Sequence, residues 1–174
     1  VRDKIRQEQS AVKTIQRTLG DLRADVQLEQ PSPFAATIDG QTFDKRKEAG
    51  AAILTAASDM LQNGQTDREN IGSYGGFRLS LDELDFGHYA LQLEGKGTYS
   101  VNFELAKADA QGLAVRMSNA VNDLPGAVKK METALDRSEK AIPALEEQVR
   151  AWPKEDELKT AEQRHREVID QIGR

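Results

Sequence analysis

The sequence has no cysteine and only two histidines, and aromatic residues make up 5% of its 174 residues. Without thiols, a disulfide framework and a thiolate metal site are both excluded. His88 and His165 do not belong to a recognisable metal-ligand cluster. We expect His165 to have a structural role in a helix seam and His88 to be exposed in a turn. With no recognisable catalytic constellation, the residues taken alone predict scaffolding rather than an enzyme.

The chain also lacks a basic excess and a long apolar run. Charged residues make up 30% of it, and the formal net charge is -5. Free-standing nucleic-acid-binding domains usually show a strong basic excess, so DNA contact would need a local basic patch. No apolar run approaches the roughly 20 residues of a membrane span, and no signal peptide precedes the first helix. We therefore expect a cytoplasmic protein without membrane contact. The start at Val1, inside a helical pattern, suggests a piece of a larger protein.

The clearest pattern that is present is a heptad seam between Met131 and Trp152. Its a and d positions are Met131, Leu135, Ser138, Ile142, Leu145, Val149 and Trp152. The same spacing recurs near the N-terminus in Ile5, Glu8, Val12, Ile15, Leu19 and Leu22, and near the C-terminus in Leu158, Ala161, His165, Val168 and Ile172. These stripes predict helical arms that pack together, either within one chain or between two chains. Gly20 weakens the first arm, Pro143 should bend the second, and Pro153 should end it.

A small module is predicted between the arms. Residues 77–81, 89–93 and 99–105 alternate apolar and polar side chains, which predicts three half-buried strands. A short extended segment at 34–38 would be a fourth strand. A helix at about 45–62, with Thr42 or Asp44 as its N-cap and Asn63-Gly64 as its C-cap, would cover one face. Gly95-Lys96-Gly97 predicts a tight hairpin between the last two strands.

Together these patterns predict an α+β fold. Long antiparallel coiled-coil-like helical arms would flank a small antiparallel sheet of about four strands packed on one helix. We expect an N-terminal arm at residues 1–30, the small α+β module at 31–108, and C-terminal helices at 109–174 that complete the arm. Within the last segment, a helix should begin at about Asp109, and Pro125-Gly126 should interrupt or kink it.

Six basic residues are candidates for contact with DNA or a protein partner: Lys45, Arg46, Lys47, Arg78, Lys96 and Arg116. The alternative is that they solvate the sheet and balance the acidic residues. The glycine-rich stretch at 72–76 precedes a strand, whereas a phosphate-binding loop follows a strand and opens a helix. Turn or bulge geometry therefore explains its glycines better. Arg116 and Asn119 share a helix face and are predicted to brace that turn.

Four stretches carry a family resemblance: residues 43–50 (FDKRKEAG), 71–79 (IGSYGGFRL), 93–99 (LEGKGTY) and 116–121 (RMSNAV). Their order resembles the C-terminal region of very large phage, plasmid and conjugative-element proteins that combine a DNA-methylase-like domain with an ATP-binding helicase. The resemblance covers about residues 35–150. The helicase and methylase motifs of that family are absent from this chain, so no catalytic residue and no cofactor is carried over.

The resemblance implies a non-catalytic accessory domain that mediates DNA or protein contacts for a larger DNA-processing protein. Its expected partners are the rest of the parent polypeptide and DNA. The alternative from the heptads is a structural or oligomerising segment without nucleic-acid binding, and the oligomeric state stays open at this point.

Overall fold

The structure is a computed structural model that describes residues 1–28, 30–151 and 154–173. Within them the chain forms five helices and six strands. These are α1 (Arg2–Val26), β1 (Ala36–Ile38), β2 (Gln41–Phe43), α2 (Arg46–Asn63), β3 (Asp67–Tyr74), β4 (Phe77–Asp85), β5 (His88–Glu94), β6 (Thr98–Glu104), α3 (Ala110–Asn122), α4 (Leu124–Ala151) and α5 (Lys154–Ile172). The strands form one antiparallel sheet in the order β2-β1-β3-β4-β5-β6.

This is a mixed α+β fold, but the predicted architecture is wrong. The sheet has six strands instead of about four, and α3 packs on its core together with α2, instead of α2 alone. The prediction of long helical arms is also wrong. Contacts between residues group the chain into two compact units, and both α1 and α4 have one part in each unit. One unit comprises residues 17–131 and contains the sheet, and the other comprises residues 1–16 with the described part of 132–174. Leu22 of α1 and Val128 and Met131 of α4 pack on the core of the sheet unit.

The core of the sheet unit lies on one face of β4, β5 and β6. Cross-strand pairs such as Leu79 with Leu93 and Leu91 with Val101 place the alternating apolar residues together. The buried side chains of α2 and α3 that pack with them are Ala49, Ile53, Ala56, Ala57, Met60, Leu113, Ala114, Met117 and Val121. Burial of each large aliphatic side chain contributes about 1.5–3 kcal/mol.

The two helices approach each other closely at one glycine. A Cβ added to Gly50 would overlap the backbone carbonyl of Ala110 at the start of α3. The small side chains of α2, with glycine at the closest point, therefore set the distance between α2 and α3.

The two strands that the sequence did not predict lack a clean alternation. β2 has three residues, and β3 opens with the polar run 67–70, in which Asn70 has a positive φ of 54°. The pairing of β3 with β4 shifts register between Arg68 and Gly72, and Gly75 has a φ of 58° in the following turn. A Cβ at Gly72 would overlap the carbonyl of Thr37 in β1. The bulge and turn interpretation of these glycines is confirmed.

The helix ends agree with the sequence in part. Gly64 has the left-handed φ of 65° expected of the α2 C-cap, and the Asp109 side chain accepts the Gly112 N–H at 2.7 Å. The predicted N-cap of α2 is wrong, because Lys45 is the N-cap and no side chain caps it. α3 ends before Pro125, which lies in the first turn of α4, where a proline is tolerated.

The described residues of the unit that comprises 1–16 and 132–174 are mostly helical. Ile5, Val12 and Ile15 are half-buried, and Leu145 is buried. Val12 of α1 and Ile142 of α4 line the same surface groove, so these helices lie side by side within one chain. Pro143 lies inside α4, which continues to Ala151, while the predicted seam residue Trp152 and the predicted helix stop Pro153 lie outside the described residues.

Helix α5 does not share that packing. Its described side chains, from residue 157 onwards, are all exposed. His165 is therefore exposed on α5 and does not pack in a seam within this one chain. None of the helices in the described ranges is long and apolar enough to cross a membrane.

Candidate interaction surfaces

Three of the six candidate basic residues lie together where α2 begins. Lys45, Arg46 and Lys47 are exposed and consecutive. The Arg46 guanidinium lies over the Phe34 ring, with its central carbon 5.0 Å from the ring centroid. Phe34 is buried and packs against Tyr74, with the two ring centroids 5.6 Å apart. This stack fixes the guanidinium in place, whereas the two lysines extend from the helix start.

The charges next to this cluster are mixed. Lys45 Nζ lies 3.5 Å from a carboxylate oxygen of Glu48, and both side chains are more than half exposed, so water screens the pair strongly. The helix start adds backbone N–H groups that no side chain caps. Because these groups carry the positive end of the helix dipole, they reinforce the basic side chains.

The other three candidates are engaged elsewhere on the sheet unit. Arg78 donates to Glu94 from Nε at 2.6 Å and also pairs with it through Nη2. Arg116 donates to the Asn102 carbonyl of β6 at 2.7 Å. Lys96 has an exposed side chain in the β5–β6 turn. Arg78 is thus neutralised within the sheet, and these contacts do not join the three residues to the start of α2.

The glycine-rich turn is attached to α3 by other residues than predicted. Arg116, expected to brace that turn, bonds the β6 backbone instead. The hydroxyl of Tyr74, which precedes the turn, lies 3.3 Å from the Ser118 hydroxyl and donates to it. Ser118 in turn donates to the Ala114 carbonyl at 3.1 Å. Ser118, a buried serine between Arg116 and Asn119 in the sequence, therefore connects the glycine-rich turn to α3.

The polar face of β4, β5 and β6 carries two hydrogen-bonded groups. Glu94 accepts from Arg78 and, at 3.0 Å, from the Ser80 hydroxyl. Gln92 donates to Asp82 at 3.2 Å and accepts from Ser100. These side chains hydrogen-bond to one another, so this part of the face is self-paired.

Asp25 is a buried carboxylate that accepts three hydrogen bonds, and the sequence patterns did not reveal it. Its side chain is 1% exposed. Its oxygens accept from the Lys96 N–H at 2.6 Å, the Gly97 N–H at 2.8 Å and the Tyr99 hydroxyl at 2.7 Å. A Cβ at Gly95 would overlap the carboxylate, which explains the glycine of this turn. The predicted hairpin is confirmed, and Asp25 anchors α1 to it.

Two tyrosines have raised pKa values. Burial, and then the hydrogen bond from Tyr99 to Asp25, raise the pKa of Tyr99 well above its usual range. Burial also raises the pKa of Tyr89, with a smaller contribution from the charge of Glu83. The buried Tyr89 hydroxyl has no hydrogen-bond partner among the described residues.

A signal for Asp25 was present in the sequence. The residue lies in the last turn of α1, where the helix dipole disfavours a carboxylate. An acid at that position therefore suggests a partner elsewhere in the fold.

His88, the first residue of β5, is exposed as predicted. In residues 1–28, 30–151 and 154–173, no group of three or more histidine, cysteine or acidic side chains is arranged to hold a metal ion.

No protein-family model, no curated protein and no solved structure matches the chain.

Proposed function

We propose that this chain is a non-catalytic accessory domain of a larger DNA-processing protein of the helicase and methylase type. It contacts the DNA backbone through Lys45, Arg46 and Lys47 at the start of α2. The observation that carries the proposal is the placement of three consecutive exposed basic side chains at an uncapped helix N-terminus. The four stretches of family resemblance support the DNA-processing context.

The chemistry of this helix start suits a phosphate. Backbone N–H groups at a helix N-terminus bind anions, and the helix dipole adds to the attraction. The guanidinium of Arg46 is held over an aromatic ring, which leaves the donors at its edge available for a phosphate oxygen. Lys45 and Lys47 add positive charge on flexible stems. Contacts of this kind position a protein on DNA without reading its sequence.

The rest of the chain favours a weak, local contact. The net charge of -5 opposes general attraction to DNA. Arg78, considered a contact from sequence, is neutralised by Glu94. We therefore expect sequence-independent binding that is strong enough to measure at low salt, with few phosphates neutralised.

The test is fluorescence anisotropy of a labelled DNA duplex titrated with the chain at several salt concentrations. Removal of one lysine that binds a phosphate should reduce the slope of log K against log salt by about 1. The double variant Lys45→Gln/Lys47→Gln should therefore weaken binding and flatten the slope, while Arg46 and its stack on Phe34 stay in place.

The matched control is Lys107→Gln/Lys140→Gln. It removes the same charge from two other exposed lysines that, like Lys45, pair with a carboxylate three or four residues away in the sequence. The control should bind DNA as the unmodified chain does. Equal reductions in affinity in both double variants, or no binding at low salt, would overturn the proposal.

One observation favours a second candidate, an oligomerising segment. The apolar residues Leu158, Val168, Ile169 and Ile172 of α5 are each more than half exposed. If they pair between chains, the mass measured by light scattering rises with concentration, and Val168→Asp keeps the chain monomeric. A constant monomer mass at all concentrations would exclude this candidate.

A further inference from the structure

The β4–β5 turn exposes two large apolar side chains at one end of the sheet. Phe86 is 82% exposed and Leu84 is 56% exposed. Exposed apolar groups clustered in this way mark interaction sites more often than isolated ones do. No role in the fold or in the proposed DNA contact uses them.

The ladder between β4 and β5 has a bulge at Leu84. Glu83 pairs with Tyr89 and Asp85 pairs with His88, so Leu84 is an extra residue in the ladder. Such a bulge redirects a side chain that regular alternation would place elsewhere.

The turn is also held in a defined shape. The Asp85 carboxylate accepts the Phe86 N–H at 2.8 Å. Gly87 has a φ of 77°, which favours glycine, and its carbonyl accepts the Leu105 N–H at 2.9 Å. Because these bonds fix the backbone on both sides of Phe86, less conformational freedom is lost when the ring is bound.

Acidic side chains are concentrated at this end of the sheet. They are Asp67, Asp82, Glu83, Asp85 and Glu104. The nearby basic residues Lys107 and Arg68 each pair with a carboxylate, Glu104 and Asp39 respectively. The surface around Phe86 is therefore negative, which disfavours a nucleic acid or an anionic membrane as the occupant.

We infer that the β4–β5 turn is a docking site for a protein that presents an apolar pocket with a Lys- or Arg-rich rim. Phe86 enters the pocket, Leu84 covers its edge, and the surrounding carboxylates face the basic rim. An aromatic anchor buried in a pocket and enclosed by polar contacts is the usual centre of a protein interface, and the charges set partner choice and association rate.

Three cyclodextrins provide probes of this chemistry, because each is an apolar cavity that admits a phenyl ring. One carries an amine rim, one a hydroxyl rim and one a sulfonate rim. Binding to the intact chain is followed by residue-specific NMR shifts. We expect the signals of Phe86 and Leu84 to move, with affinities in the order amine, hydroxyl, sulfonate. The affinities of the amine-rim and sulfonate-rim cyclodextrins should differ by about tenfold at low salt. The difference should become smaller as added salt screens the charges of the rim.

Phe86→Ser should abolish the response, and Glu83→Gln should reduce the preference for the amine rim. Val115→Ser, at an exposed apolar position of α3, is the matched control and should leave binding unchanged. Equal affinity for all three rims, or a response that survives Phe86→Ser, would overturn the inference. Oligothymidylate or zwitterionic vesicles that bind through Phe86 would also overturn it, because the occupant would then be a nucleobase or a membrane. The lysines of α2 play no part in this test, so its result is independent of the proposed DNA contact.

Discussion

Replacement of Asp25 by alanine removes the acceptor of three hydrogen bonds. The donors are the backbone N–H groups of Lys96 and Gly97 and the hydroxyl of Tyr99, at 2.6 to 2.8 Å. A hydrogen bond to a charged group contributes about 1.5–3 kcal/mol, and a buried donor left without a partner is destabilising. The three bonds share one carboxylate and are not additive, and the exposed turn lets water replace part of them. We therefore expect a decrease of about 3–5 kcal/mol in the free energy of unfolding.

The assay is urea denaturation followed by circular dichroism, with a thermal melt as a second measurement. For a chain of this length, 1 kcal/mol shifts the melting temperature by about 2–4 °C, so Asp25→Ala should lower it by about 6–20 °C. Asp59→Ala, at an exposed position of α2, is the control and should change stability by less than about 0.5 kcal/mol. If Asp25→Ala destabilises the chain by less than about 1 kcal/mol, Asp25 does not anchor α1 to the hairpin.

Three further predictions concern stability. Gly50→Ala should destabilise the chain by at least about 1–3 kcal/mol in urea denaturation, since its Cβ would overlap the Ala110 carbonyl. Gly20→Ala is the control: Gly20 lies inside α1 with open space around it, so this variant should stabilise the chain by up to about 1 kcal/mol. Similar effects of the two variants on stability would contradict the close approach of α2 and α3. Stability should fall as the pH rises above about 10, because the raised pKa of Tyr99 keeps its phenol protonated in the folded state while the unfolded chain ionises. Urea denaturation across this pH range should show a smaller fall in stability for Tyr99→Phe than for the unmodified chain. An equal fall in both would refute the link between the raised pKa of Tyr99 and stability. Tyr89→Phe should leave the melting temperature unchanged or raise it, since the hydroxyl that it removes is buried without a described partner, and a clear decrease would reveal a bond to that hydroxyl.

The parts of the fold that the sequence predicted are those with local periodicity. β4, β5 and β6 alternate apolar and polar residues because one face is buried and the other is solvated. β3 carries no such signal, because its first half is polar and Gly72 is required by the closeness of β1. The division of α1 between two units was also not predictable, since one heptad stripe continues through both.

The candidate site was predictable only as a set of residue types. The basic run at 45–47 is visible in the sequence, but its position at an uncapped helix start is a structural fact. In the sequence alone, Arg78 cannot be distinguished from the basic run at 45–47. The pairing of β4 with β5 places Glu94 opposite Arg78, and the two side chains form an ion pair. The exposed pair of Leu84 and Phe86 was not predictable, because the bulge at Leu84 arises from strand register.

The measurement that tests the central claim most directly is a titration of the chain with a DNA duplex, followed through its backbone amide NMR signals at low salt. If the proposed contact exists, the amides of residues 46–48, at the start of α2, shift most, and added salt reverses the change. Shifts confined to other surfaces, or none at all, would contradict a DNA contact at the start of α2.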